Sequence, residues 1–179
     1  MSAKLLFIAG TFGVGGYVGH TIMNHDPAMI SASKDQVETA LELAETILPR
    51  GDGNDQIRIW SAGRSPEGVT LRMQYSSASP VLECKALVTA IALNESRVMA
   101  DCGSDPDNPS AISRTQDALR VPMFEEHIHA TLEGRPFDRS KAQQQEIAIA
   151  VQNLDEMRQE AMHTARTMAK IHAEIDERQ

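Results

Sequence analysis

The densest candidate for chemistry in this 179-residue chain is Glu125-Glu126-His127-Ile128-His129. A carboxylate beside an imidazole can share proton-transfer work, and two imidazoles can hold a metal when they face one point. On a helix, however, positions i and i+2 point about 200° apart, so His127 and His129 do not grip one ion. Glu126 and His127 are the catalytic candidates by residue type. The competing expectation is that Met123, Phe124, Ile128 and Leu132 pack inward while Glu125, Glu126 and His129 stay solvated.

Other constellations carry less chemistry. Asp101, Asp105, Asp107 and Asn108 offer oxygens, but the glycine and terminal glutamate of a calcium-binding helix–loop–helix are missing. His163 and His172 lie nine residues apart on a helical stretch and need not cooperate. No Gly-x-Ser-x-Gly, His-Glu-x-x-His or phosphate-loop lysine occurs. The residues therefore imply no cofactor, no metal site and no enzyme. Asn94-Glu95-Ser96 matches a glycosylation sequon, a short pattern that matters only in a eukaryotic secretory protein.

The two cysteines, Cys84 and Cys102, have no basic neighbour or nearby histidine that would make a thiolate nucleophile. A disulfide between them is the expectation if they face one another across a hairpin, and an oxidising compartment would go with it.

Residues 5–23 form an uncharged, mostly apolar run preceded by Lys4. As a helix it would span about 28 Å, close to bilayer thickness. Its glycines also resemble the turn of a dinucleotide-binding unit, but no alternation of strand and helix follows to complete one. Gly15 and Gly19 carry the small-residue spacing of packed membrane helices. The expectation is an uncleaved signal-anchor over residues 1–25, a single-pass segment inserted in the bilayer. Lys4 places its N-terminus in the cytoplasm and the domain outside, periplasmic or extracellular.

Net charge is −8, with nine Lys and Arg against sixteen Asp and Glu in residues 34–133. Such a surface repels phosphate, and no basic patch with aromatic partners appears, so nucleic acid is not an expected partner.

The elements that position these residues follow from periodicity. Residues 26–32 read as a linker. Val37, Ala40, Leu41, Ala44, Ile47 and Leu48 recur at helical spacing, with Ser33 and Gln36 as a capping box and Pro49-Arg50-Gly51 as the stop. Period two then takes over. Ile57 and Ile59, then Val69, Leu71 and Met73, flank the turn residues Ser65-Pro66-Glu67-Gly68, which predicts an antiparallel hairpin. Residues 81–93 fit a helix face or a strand, and the strand is preferred because it sets Cys84 beside Cys102. Ser113 with Gln116 suggests a short helix, residues 123–132 a second, stopped by Gly134 and Pro136.

From Asp138 the chain runs to its end without Gly or Pro. Its stripe, Ile147, Val151, Leu154, Met157, Ala161, Ala165, Met168 and Ile175, predicts one long helix. The part up to about Ala161 is expected to pack on the domain, Leu154 included, and the rest to project. Met157, Met162, Ala165 and Met168 are the candidate interaction face.

The whole predicts an α+β domain over residues 33–137, one helix packed on a small antiparallel sheet, with residues 138–179 as a long terminal helix. The functional expectation is a membrane-anchored, non-catalytic interaction or assembly module that binds a protein partner or itself. A small-ligand-binding module, or an acid–base or metal enzyme using Glu125–His129, is the alternative.

Overall fold

The computed structural model describes residues 26–50, 55–104, 107, 108 and 110–176. Residues 1–25, and with them the expected anchor, Gly15 and Gly19, lie outside the described residues. No helix among the described residues is long and apolar enough to cross a membrane.

The fold is α+β. Six antiparallel strands form one sheet: β1 (Met29–Ile30), β2 (Glu45–Pro49), β3 (Gln56–Ser65), β4 (Gly68–Gln74), β5 (Leu82–Ala92) and β6 (Glu95–Asp101). Their order across the sheet is β1-β6-β5-β4-β3-β2. Helix α1 (Lys34–Leu43) precedes β2, and α2 (Ala111–Ala118), α3 (Val121–Glu133) and α4 (Arg139–Asp176) follow the sheet.

One face of the sheet is covered. Val37 and Leu41 of α1, with Met123, Phe124 and Ile128 of α3, meet Ile59, Leu71, Met73, Ala86 and Val88 in a single core. The strands alternate accordingly, inward Val69, Leu71 and Met73 against outward Thr70 and Arg72. The open face is charged. Arg72 stands opposite Glu83 and pairs with it at 3.0 Å, and Arg58 pairs with Glu45 while lying 4.9 Å from the Trp60 ring centre.

The Ser33–Gln36 capping box starts α1 as expected. The helix ends at Leu43, earlier than its periodicity implied, because Ala44 turns extended. Thr46, Ile47 and Leu48 instead pair with Ile59, Arg58 and Ile57 as the edge strand β2. A β-branched pair, Thr46 and Ile47, suits that state better than a last helical turn. Arg64 of β3 reaches back to Asp35 (2.8 Å) and Glu42 (2.9 Å), holding α1 across the sheet.

Residues 82–92 are strand, and the β5–β6 hairpin carries a Cys84–Cys102 disulfide with the Cα atoms 4.0 Å apart. Gly68, which opens β4, has φ +153°, and a Cβ there would stand 2.0 Å from the carbonyl oxygen of Ala86. Only glycine lets the two strands approach so closely.

The segment read as a linker lies on the sheet edge. Met29 and Ile30 pair with Arg97 and Ser96, Asp26 forms an ion pair with Arg97, and Ser96 donates a hydrogen bond to the Ala32 carbonyl at 2.9 Å. Ser110, not Ser113, caps α2. Gly134, with φ +63°, ends α3 in the left-handed conformation that stops helices.

Candidate functional site

Glu126 and His127 are neighbours on α3, and both are buried, against the expectation that Glu126 stays solvated. Their side chains go to different partners. His127 Nδ1 lies 2.8 Å from Thr46 Oγ1 on β2, while Nε2 has no hydrogen-bond partner among the described residues. Burial pushes the imidazole pKa down to about 4, so at neutral pH the ring is uncharged.

Glu126 sits in a clamp built from the turn between α3 and α4. Arg135 donates from both terminal nitrogens, one at 3.0 Å, in the fork geometry suited to a carboxylate. The Asp138 amide donates at 2.8 Å, and Lys141 Nζ stands 3.3 Å away. Burial alone would raise this carboxyl, but the hydrogen bonds from Arg135, Asp138 and Lys141 outweigh it and lower the pKa. Bonding to Glu126 and then Glu133 correspondingly raises the Arg135 guanidinium.

The result is a neutral imidazole and a fixed carboxylate that share no partner. One joins α3 to the sheet edge, and the other joins α3 to α4. Acid–base chemistry asks for a pair that faces one cleft, and these two side chains are not paired with each other.

A cleft of about 460 Å³ lies between the β1–β6 edge and helices α3 and α4. Asp26, Arg97, Glu125, Glu126, His129 and Lys141 are among its lining residues, and His127 and Asp101 are not. Its charges already engage one another, Arg97 with Asp26 and Lys141 with Glu126. His129 faces Glu133 at 3.5 Å. Asp101 accepts from the Gly103 amide at 2.9 Å, a local turn contact. No group of three or more metal-binding side chains occurs among the described residues.

The remaining site is the outer face of α4. The helix rests on the domain through buried Ala142 and half-buried Ile149, Asn153 and Met157. On α2, Arg114 pairs with Glu156, and the Ala111 amide donates to Glu160. The other side is apolar and open. Ile147 is 63 % exposed, Val151 66 %, Leu154 57 %, Met168 55 % and Ile175 48 %. Leu154 therefore does not pack on the domain, because the inward face is the neighbouring one that contains Asn153 and Met157. Of the candidate interaction residues, Met157 turns half inward, whereas Met162, Ala165 and Met168 are exposed. Residues 161–173 are exposed throughout.

Fold and surface together define an α+β protein with a half-covered antiparallel sheet and a projecting helical arm. Comparison with protein-family models, with curated proteins and with solved structures finds no match to this chain.

Proposed function

We propose that this protein is a non-catalytic interaction or assembly module, tethered to a membrane by residues 5–23 with its domain on the periplasmic or extracellular side. The observation that carries the reading is the outer face of α4. Large apolar side chains stand exposed at Ile147, Val151, Leu154, Met168 and Ile175 along one side of a helix whose other side is already supported. An extended apolar surface on an otherwise acidic molecule is a binding surface in search of cover. The tether rests on the uncharged run after Lys4, and the Cys84–Cys102 bridge suits an oxidising compartment.

The experiment is affinity purification of the full-length protein from its own membranes beside the Leu154→Glu/Met168→Glu variant, with carbonate extraction of both. The expected result is retention of both in the membrane pellet and loss of a co-purifying protein from the variant alone. An intact chain in the carbonate supernatant overturns the tether, and identical co-purifying sets together with an unchanged oligomeric state overturn the interaction role. The cleft at the β1–β6 edge favours a second reading, a small-ligand module, which a ligand-induced rise in melting temperature abolished by Lys141→Ala would support.

A further inference from the structure

Resting on the reading of α4 as an interaction arm, we infer that the surface covering it is the α4 of a second copy of this chain, in antiparallel orientation. The outer face repeats with alternating steps of four and three: Ile147, Val151, Leu154, Arg158, Ala161, Ala165, Met168, His172 and Ile175. That is a period of 3.5, sustained over four heptads, and it keeps its seam only against another helix of the same period. A second copy has that helix by definition. The domain is already engaged with α4 through the adjoining face of Ile149, Asn153 and Met157, which leaves the seam uncovered.

Charge selects the orientation. Arg158 is a cation in the middle of the apolar seam, and Asp155 lies one turn before it on the flank. Neither makes an ion pair among the described residues. A parallel, in-register pair would set Arg158 against its own copy. An antiparallel pair with its two-fold axis beside Glu156 sets each Arg158 beside the partner's Asp155, satisfying both charges twice over. In that register the two seams meet from Ile147 to Ala165, within a helix-on-helix overlap that runs from Gln144 to Met168. The overlap is roughly 36 Å long, and half the helix surface over it covers on the order of 550 Å² a side. Two sides exceed the ~1,000 Å² that a specific interface needs, at the weak end of stable dimers.

The test is light scattering of the purified full-length chain in mild detergent across a concentration series. The expected result is a monomer–dimer equilibrium, a monomer for Leu154→Glu/Met168→Glu at concentrations where the unaltered chain is dimeric, and unchanged melting of that variant. Arg158→Asp is expected to weaken the dimer at least tenfold, and Asp155→Arg/Arg158→Asp to restore it. A monomer at every concentration overturns the second copy as occupant. If that monomer still loses a different co-purifying protein on Leu154→Glu/Met168→Glu, the interaction arm stands without self-pairing. A dimer that persists in the folded double variant overturns the surface. A dimer that the charge swap fails to restore overturns the antiparallel register.

Discussion

Thr46 Oγ1 lies 2.8 Å from His127 Nδ1, joining an edge strand to a helix eighty-one positions away. The ring that shares this tie is buried and uncharged, and the strand it secures is the outermost on its side of the sheet. Burial of the ring, not the bond itself, makes this edge of the sheet sensitive to protonation of a single imidazole.

Stability should fall with pH through that group. His127 has its folded pKa lowered to about 4, below the ordinary 6.5, so the unfolded chain takes up a proton first. The contribution is complete above pH 6.5, is lost as pH falls from there to about 4, and amounts to about 3 kcal/mol. Urea unfolding across this range, compared with His127→Leu, isolates it. The variant should lose the slope between pH 6.5 and 4, and an identical slope in both proteins would refute the assignment.

Removing Arg135 should be more damaging than removing its partner as well. Arg135→Ala strands a buried carboxylate with only Lys141 and the Asp138 amide, at a cost of about 3 kcal/mol. Glu126→Leu combined with Arg135→Ala should recover part of the loss. A double-mutant cycle on denaturant midpoints reads the difference. Because the Glu126 pKa is lowered, its contribution is present above the ordinary carboxylate range and is lost as pH falls through the folded value.

Gly68→Ala should destabilise the sheet by more than about 2 kcal/mol, since the new methyl would stand 2.0 Å from a backbone oxygen with no flexible atom to yield. Gly63→Ala is the control. Its φ is also positive, at +110°, but a Cβ there meets nothing within 4 Å. Thermal melts should rank Gly68→Ala well below Gly63→Ala.

Reducing the disulfide, or replacing Cys84 and Cys102 by serine, should lower stability by about 3 kcal/mol on the chain-entropy account of a loop spanning 18 residues. Peptide mapping without reductant checks the bridge directly. Two free thiols in protein from its native compartment would contradict both the bond and the proposed oxidising location.

What was legible beforehand was local chemistry with a strong period. The capping box of Ser33 and Gln36, the turn at Ser65–Gly68, the pairing of Cys84 with Cys102 and the stop at Gly134 all rest on nearby residues. What escaped was decided by tertiary partners. Ile47 and Leu48 continue the helical spacing of α1, and only pairing with β3 makes them strand. Glu126 looks like a surface residue because nothing local announces that Arg135, Asp138 and Lys141 converge on it. On α4 the apolar stripe was visible, but a stripe does not say which side meets the domain. Asn153, half-buried with its amide bonded to the Ile149 carbonyl, faces inward beside Met157, while Leu154 faces out.

The placement of the contacts along α4 has a mechanical consequence. The helix is held near its root by Lys141 on Glu126, and again by α2 at Glu156 and Glu160. These bearings are about 28 Å apart, and the sixteen residues beyond the second overhang by about 24 Å. A stiff rod mounted this way is a cantilever, and a sideways displacement at the second bearing reaches the tip enlarged about twofold. A small shift of the eight-residue α2 would therefore swing the far end of the arm, so the reach of Met168 and Ile175 is governed by contacts made nearer the root, at Glu156 and Glu160.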